Sequence, residues 1–351
     1  MKFLKDILKE ARTGKGMLTR EVAHVVGIDQ ALISKFETGV RKPSRKQLVK
    51  FAEVYDINEK DILIPWLSEK IAYELLGEEY GNEALLLADD IVQYNAGRQK
   101  TATAQIAKDD LQKIDALKKQ LNKFRHLDSY RITQALELEY TFESNRIEGN
   151  TLTLKETDLV VNEGLTIGGK SMREHLEAIN HAHAIEFIKE LVHKKTVINE
   201  RLLLQIHNLI LRGIDNENAG RYRSVQVMIK GSKHTPPQPF LVPRQMEEYF
   251  VWYQKNKKLL HPVMLAAEMH EKLVTIHPFI DGNGRTARLL MNMILLQHGF
   301  VIANIKGDAG SRIAYYEALE KVQTKKSYSA FIEFIAQTEA DALSQYIGIL
   351  S

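Results

Sequence analysis

Apolar residues recur at a helical spacing along most of this chain. In the clearest example, intervals of three to five residues separate Ile106, Leu111, Ile114, Leu117, Leu121 and Phe124. Such a period places apolar side chains on one helix face, so it predicts an amphipathic helix. The same pattern predicts nine more helices, at residues 129–144, 155–163, 172–194, 199–211, 243–257, 261–276, 284–297, 311–321 and 327–350.

The N-terminal residues 1–64 predict a bundle of five short helices with punctuated turns. Asp29 is a favourable N-cap residue, and Gly27 and Gly39 stand where helices are expected to end. The apolar positions inside these helices predict a small separate core, made of Leu18, Val22, Val25, Ile28, Ile33, Phe36, Leu48 and Phe51.

A second helical stretch follows at residues 67–94, interrupted at 77–81, and the polar run at 95–100 is typical of a linker. This change of pattern predicts the main boundary of the chain. We therefore expect an N-terminal domain at 1–64, a helical linker at 65–102 and a larger domain at 103–351.

One segment departs from the helical period. Val225, Val227 and Ile229 alternate with polar residues, and Gly231 and a proline-rich stretch follow them. Alternation with a period of two predicts a β-strand, so a short β-hairpin is expected within 221–242. The predicted fold class is all-α with this one small hairpin.

The composition indicates the cellular compartment of the protein and the kind of partner it binds. The chain has no cysteine, which excludes disulfides and thiolate zinc sites and favours a reducing compartment. No stretch reaches the roughly 20 apolar residues of a membrane helix, so a cytoplasmic protein without a membrane partner is expected. Residues 1–60 hold 13 Lys and Arg against 8 Asp and Glu, an excess of +5. This excess favours a polyanionic partner for the N-terminal domain.

The richest chemistry lies at residues 277–288, which read His-Pro-Phe-Ile-Asp-Gly-Asn-Gly-Arg-Thr-Ala-Arg. Apolar helical patterns lead in and out, whereas the residues at 281–284 favour a turn. A loop that enters a helix N-terminus offers free N–H groups and a favourable dipole to an anion. Gly282 and Gly284 would let a phosphate approach the backbone closely.

The side chains of this segment fit phosphoryl or nucleotidyl transfer. Asp281 is a hard oxygen ligand suited to Mg²⁺. Arg285 and Arg288 are spaced to share a helix face and to clamp phosphates. His277 titrates near neutral pH and can take a proton from an attacking hydroxyl.

This segment resembles the signature of the Fic family, His-x-Phe-x-Asp/Glu-Gly-Asn-Gly-Arg-x-x-Arg, at all eight fixed positions. The resemblance implies a Fic-fold helical domain that transfers AMP from ATP to a Tyr, Thr or Ser hydroxyl of a target protein. It implies that His277 is the general base, Asp281 the Mg²⁺ ligand and Arg288 the partner of the γ-phosphate. It further implies that Asn283, Gly284 and Arg285 hold the α- and β-phosphates.

A second motif lies upstream, where Ser144 and the pair Glu148 and Gly149 resemble the Fic inhibitory motif Ser/Thr-x-x-x-Glu-Gly/Asn. The resemblance implies that Glu148 pairs with Arg288 and holds the enzyme inactive. An ordinary helix end closed by Gly149 is the alternative. A further role for Glu148, activating water that removes AMP from the target, stays open.

The predicted hairpin resembles the Fic flap, which pairs with an extended segment of the target protein. Ile229, Lys230 and Gly231 are expected beside the nucleotide. Tyr316, or its neighbour Tyr315, is expected at the adenine, with a packed aromatic as the alternative.

Residues 27–39, with 41–44 after them, resemble the helix-turn-helix of phage-repressor-like regulators of the XRE type. The resemblance implies DNA binding through Gln30, Ser34 and Lys35, and a homodimer that reads two half-sites. Protein docking is the alternative.

Two other functions remain open. Gln323 stands where relatives carry Asn, which leaves room for a nucleotide donor other than ATP. The chain could also be a DNA-binding regulator whose Fic domain only senses nucleotide.

Overall fold

The computed structural model describes residues 3–86, 88–89, 108–325 and 327–351. The chain divides into two compact units, Met1–Lys100 and Thr101–Ser351. Within the described residues, no helix is long and apolar enough to cross a membrane.

The N-terminal unit contains the five predicted short helices. They are α1 (Leu4–Gly14), α2 (Thr19–Val26), α3 (Gln30–Glu37), α4 (Arg45–Tyr55) and α5 (Glu59–Leu75). Asp29 caps α3 as expected, since its carboxylate accepts the Ala31 N–H at 2.7 Å. Most of the predicted core is buried. Leu18 and Val25 are exceptions. Leu18, the N-cap residue of α2, is 50% exposed, and Val25, on the outer side of α2, is 59% exposed.

Helix α5 corrects the expected break after residue 64. Pro65 lies inside this helix, which continues to Leu75. A proline removes one intrahelical hydrogen bond but does not always end a helix. The later part of the predicted linker, including 90–102, lies outside the described residues.

The larger unit is helical throughout its regular structure, as predicted. Its α-helices are α6 (Lys108–Phe124), α7 (Tyr130–Ile147), α8 (Leu154–Asn162), α9 (Met172–His193), α10 (Glu200–Leu211), α11 (Val242–Asn256), α12 (Pro262–Ile276), α13 (Asn283–Gln297), α14 (Ala309–Lys325) and α15 (Tyr328–Leu350). Short 3-10 helices lie at Arg125–Leu127 and Pro239–Leu241.

The consecutive helices α12 and α13 form the centre of this unit. They pack on each other, and α13 also contacts α7, α9 and α10 while α12 contacts α11, α14 and α15. Both helices are buried along most of their length. A loop between two rigid, buried helices is held firmly in place, and this is the loop that carries the motif.

The predicted β-hairpin at 221–242 is not formed, since the described part of the chain contains no strand. Hydrogen bonds from side chains hold this segment, where a hairpin would have hydrogen bonds between backbone groups. Arg223 donates to the carbonyls of Val225 at 3.0 Å and Pro237 at 2.5 Å, and Gln226 donates to the Pro236 carbonyl at 2.9 Å. The alternating pattern was misleading because prolines supply no N–H for strand pairing.

Candidate active site

His277 lies at the point where helix α12 ends. Its backbone is left-handed, with φ 51°, and its N–H still donates to the Leu273 carbonyl at 2.9 Å. Arg223, from another segment, holds the two residues at this point. Its Nε donates to the His277 carbonyl at 2.8 Å, and its backbone N–H donates to the Pro278 carbonyl at 2.9 Å. The histidine is therefore held on a turn and not on a free loop.

The imidazole of His277 is held in one tautomer. Its Nδ1 lies 3.2 Å from the Val274 carbonyl, which can only accept, so Nδ1 carries the proton and Nε2 keeps its lone pair. Burial lowers the pKa of His277 to about 4, and the nearby Arg223 acts in the same direction. The ring is therefore neutral at physiological pH.

The loop from His277 to helix α13 is closed by Asn283. Its side-chain oxygen accepts the Phe279 N–H and its amide donates to the Phe279 carbonyl, both at 2.9 Å. Gly282, with φ 76°, forms the N-cap of α13. Because the Asn283 side chain is satisfied inside the protein, only its backbone N–H remains for a phosphate.

Asp281 lies at the mouth of this loop and is 42% exposed. Arg173 donates to its carboxylate at 2.5 Å, and Arg285 lies 3.6 Å away. Burial alone would raise the pKa of Asp281, but Arg285, the Gly282 N–H and Arg173 together lower it. The carboxylate is therefore ionised at neutral pH, the state in which it can bind a cation.

Arg285 is fully buried and faces two carboxylates. Its Nη1 lies 3.2 Å from Glu177, in addition to the contact with Asp281. The guanidinium of Arg285 therefore lies next to the motif's acidic residue, on the side of helix α9.

Arg288 is also fully buried and contacts the end of helix α7. It donates to the Ser144 hydroxyl at 3.0 Å, to the Ser144 carbonyl at 2.9 Å and to Glu148 at 2.6 Å. Burial opposes its charged form, but the Glu148 carboxylate outweighs this effect and raises the pKa of Arg288. Gly149, with φ 98°, turns the chain away directly after Glu148.

The carboxylate of Glu148 lies at the N-terminus of helix α13. A Cβ added to Gly284 would collide with Oε1 of Glu148 and come within 3.0 Å of Nη1 of Arg288. The first N–H groups of a helix have no intrahelical partners and attract anions. Glu148 therefore lies where the motif predicts a bound phosphate.

Comparison with known proteins gives two family matches within this chain. Residues 197–295 match the Fic/DOC family, and residues 8–62 match a helix-turn-helix family. The chain therefore holds a Fic/DOC match that includes the motif at 277–288. It is 35% identical to a protein adenylyltransferase Fic from Nematostella vectensis over 258 residues, which cover 72% of this chain and 59% of that protein. A relative of the same description from Drosophila persimilis is 30% identical and covers 93% of this chain and 63% of its own length.

The chain thus spans about three fifths of the length of these curated relatives. Among solved structures, Fic-1 (residues 134–508) from C. elegans has a TM-score of 0.61 at 25% identity, covering 99% of this chain and 98% of its own. A Fic domain-containing signaling protein from Bacteroides thetaiotaomicron has a TM-score of 0.60 at 27% identity, covering 67% of this chain and 96% of its own.

The predicted flap residues of the Fic domain do not contact the motif through a hydrogen bond that the structure shows. Ile229 and Gly231 form a turn, in which the Ile229 carbonyl accepts the Ser232 N–H at 3.1 Å, and Lys230 is exposed. His234 comes closer, since its Nε2 donates to the Thr275 carbonyl at 2.8 Å, at the end of helix α12.

The two tyrosines that follow the motif, Tyr315 and Tyr316, have different surroundings. Tyr315 is buried and its hydroxyl lies 3.1 Å from His270, so it belongs to the core of the Fic domain. Tyr316 is 46% exposed, and its hydroxyl donates to the Ile147 carbonyl at 3.3 Å, next to Glu148. Gln323 donates to the Thr275 hydroxyl at 3.2 Å, so it too lies near the end of α12.

Several residues of the site were missed from the sequence, among them Arg173 and Glu177, which face Asp281 and Arg285. Arg223 and His207 both bond backbone carbonyls of the motif loop, at His277 and Asp281 respectively. Neither residue belongs to the motif at 277–288, and the only signal in the sequence was that both precede it.

The helix-turn-helix domain presents its predicted DNA contacts on one helix. Gln30, Ser34 and Lys35 are all exposed on α3, while Ile33 and Phe36 of the same helix are buried. Arg12 pairs with Glu37 at 2.6 Å and ties α1 to the end of α3. The exposed face of α3 therefore carries the three predicted contacts, of which the Gln30 amide donates to the Thr19 hydroxyl of α2 at 3.1 Å.

Proposed function

We propose that this protein is an adenylyltransferase that moves AMP from ATP to a hydroxyl side chain of a target protein. The observation that carries the proposal is the neutral His277, whose Nε2 lone pair is free beside a helix N-terminus. The Fic domain and the curated relatives described as protein adenylyltransferases support the same activity.

In the proposed reaction, the target hydroxyl attacks the α-phosphorus of ATP. A new P–O bond forms to the target, the bond from the α-phosphorus to the β-bridging oxygen breaks, and pyrophosphate leaves. His277 takes the hydroxyl proton at Nε2, while its Nδ1–H stays on the Val274 carbonyl and holds the ring. Burial keeps His277 unprotonated, so no proton must leave it before the reaction.

Two arginines of the motif have buried N–H groups that a nucleotide phosphate would satisfy. Nη1 of Arg288 and Nε of Arg285 are buried without a hydrogen-bond partner among the described residues. Unsatisfied guanidinium N–H groups suit phosphate oxygens, and Gly284 leaves the backbone open. We infer that Gly282, Asn283, Gly284, Arg285 and Arg288 hold the phosphates of ATP.

Asp281 is the residue that would hold Mg²⁺. Its carboxylate is ionised and partly exposed, and Mg²⁺ is usually bound by one or two carboxylates together with substrate phosphates. The ion would neutralise phosphate charge. In the state described here, Arg173 and Arg285 balance the Asp281 charge instead.

We further propose that Glu148 holds the enzyme inactive, with Ser144 and Gly149 setting its position. Its carboxylate both pairs with Arg288 and lies against Gly284, so it would compete with a phosphate for the same groups. Removal of AMP by water that Glu148 activates is compatible with this position and can be tested on a modified target.

The segment 221–242 is our proposed docking site for the target protein. Its exposed Met228 and Lys230 stand on an extended loop that Arg223 ties to the motif. Backbone pairing with a target strand would register the hydroxyl near His277. Ile229, Lys230 and Gly231 would then border the nucleotide, and Tyr316 the adenine.

For the N-terminal domain we propose DNA binding through Gln30, Ser34 and Lys35, in a homodimer that reads two half-sites. The domain division at 1–64, 65–102 and 103–351, with helix α5 running across its first boundary, belongs to the same proposal. So does a cytoplasmic location, in keeping with the absence of cysteine. We propose that the two domains act together if the protein binds DNA to control its own expression.

The test uses Glu148→Gly and Glu148→Gly with His277→Ala, each given Mg²⁺ and ATP labelled at the α- or the γ-phosphate. We expect label on protein only from α-labelled ATP, and only while His277 is present. Label from γ-labelled ATP would indicate phosphoryl transfer instead. Bound ATP without any transferred label would favour a nucleotide sensor or another donor, which competition with other nucleotides would identify.

A further inference from the structure

We propose that His207 is a positioning residue of the active site, which sets the place of the Asp281 carbonyl and through it the phosphate-binding loop. The inference rests on the AMP transfer proposed above. His207 is completely buried on helix α10. Its ring stacks on Phe279 of the motif, with centroids 3.6 Å apart and planes inclined by 7°.

Both ring nitrogens of His207 bond backbone atoms of other segments. The Gly220 N–H donates to Nδ1 at 2.9 Å, so Nδ1 carries no proton. Nε2 must then carry it, and it donates to the Asp281 carbonyl at 2.9 Å. The two hydrogen bonds together fix the ring in the tautomer that carries its proton on Nε2.

These contacts hold the far end of the motif loop. Arg223 fixes its beginning, at the carbonyls of His277 and Pro278, and His207 fixes its end at Asp281. A Cβ on Gly282 would lie 3.4 Å from two atoms of the His207 ring, so the ring also supports the N-cap of helix α13.

The N–H groups after Gly282 form the anion site, and their direction follows from where the Asp281 carbonyl is held. If that hydrogen bond is lost, the loop can tilt while His277 remains held by Arg223. We therefore expect a defect mainly in nucleotide binding. A lost hydrogen bond of ordinary strength corresponds to a roughly three- to tenfold change.

The experiment compares variants in the Glu148→Gly background. His207→Phe keeps an aromatic ring against Phe279 but removes both ring nitrogens. His207→Gln restores an N–H donor and an acceptor on a shorter, flexible side chain. Asn208→Ala is the matched control, because Asn208 is the next residue of α10 and donates to the Ala219 carbonyl at 3.4 Å without contacting the motif.

For each variant, melting temperature, ATP affinity by calorimetry and the KM and kcat of AMP transfer are measured. We expect His207→Phe to weaken ATP binding and raise KM by about three- to tenfold, with a smaller fall in kcat. His207→Gln should recover most of the affinity, and Asn208→Ala should match the parent.

Equal ATP affinity and KM in His207→Phe and the parent would overturn the inference. Equal losses in His207→Phe and His207→Gln, in step with their melting temperatures, would also overturn it, because they would indicate packing alone. If His207→Phe does not fold, His207→Gln against Asn208→Ala decides. If the parent binds ATP but transfers no AMP, the proposed function fails, while the affinities still test His207.

Discussion

Replacing Glu148 should release the enzyme. The Glu148 carboxylate lies 2.6 Å from Nη2 of Arg288 and against the backbone of Gly284, so it occupies two groups that we propose for a phosphate of ATP. In Glu148→Gly the carboxylate is gone, and ATP can take its place. We expect faster AMP transfer and tighter productive binding of ATP.

The size of the effect follows from the ion pair. Two unit charges 4 Å apart attract by ~4 kcal/mol at an effective dielectric of 20. The Arg288 side chain is 1% exposed but that of Glu148 is 31% exposed, so solvent weakens this attraction. Hydrogen bonds to charged groups contribute about 1.5–3 kcal/mol. At ~2–3 kcal/mol, the Glu148–Arg288 pair would be broken in roughly 0.6–3% of molecules, so its removal should raise transfer about 30- to 160-fold.

The assay measures label transferred from α-labelled ATP under initial-rate conditions, for wild type and a matched pair of variants. Glu148→Gln keeps the side-chain shape and removes the charge, so it should give an intermediate rate. Glu139→Gln makes the same change on the same helix, where Glu139 pairs with Lys306, and should behave as wild type.

Two results would refute this reasoning. Transfer by Glu148→Gly that is no faster than wild type, with ATP shown to bind, would mean that the pair does not limit the reaction. Equal activation by Glu139→Gln would mean that any loosening of helix α7 is enough, and the Arg288 contact would lose its special role.

Three further predictions can be checked directly. Gly307→Ala should raise transfer and lower the melting temperature, because its Cβ would lie 2.9 Å from atoms of helix α7 and push that helix, whose C-cap residue is Glu148. Gly310→Ala, with only a 3.5 Å contact, should do neither. Stability should fall between pH 7 and pH 5, because His207 has a pKa of about 4 when folded and near 6.5 when unfolded, so the unfolded chain binds more protons there. Through His207, the free energy of unfolding should fall by about 2 kcal/mol at pH 5. In chemical denaturation, His207→Gln should therefore show a weaker dependence of this free energy on pH. Lys35→Gln should weaken binding to duplex DNA and reduce the salt slope by about 1, as measured by fluorescence anisotropy over a range of salt.

Local patterns in the sequence were enough to predict the helices. Helix α9, predicted at 172–194, runs from Met172 to His193, and α12, predicted at 261–276, runs from Pro262 to Ile276. Each of these depends on a period of apolar residues and on a nearby cap, which are properties of a few neighbouring residues.

The same local reasoning failed where pairing between distant segments decides the outcome. Alternation at 225–229 predicted a strand, but a strand needs a partner, and the prolines opposite have no N–H to offer. Val25 has the right type for the core of the N-terminal domain, yet it is 59% exposed because it lies on the outer side of helix α2.

The sequence by itself determined the helical class and the loop of the motif with its anion-binding helix start. It also showed which residue types stand there, because these features depend on neighbouring residues. Only the tertiary structure decided that Glu148 meets Arg288 across 140 positions and that His207 meets Asp281 across 74. Contacts of that kind arise when helices pack, since packing brings together side chains that no spacing along the chain relates.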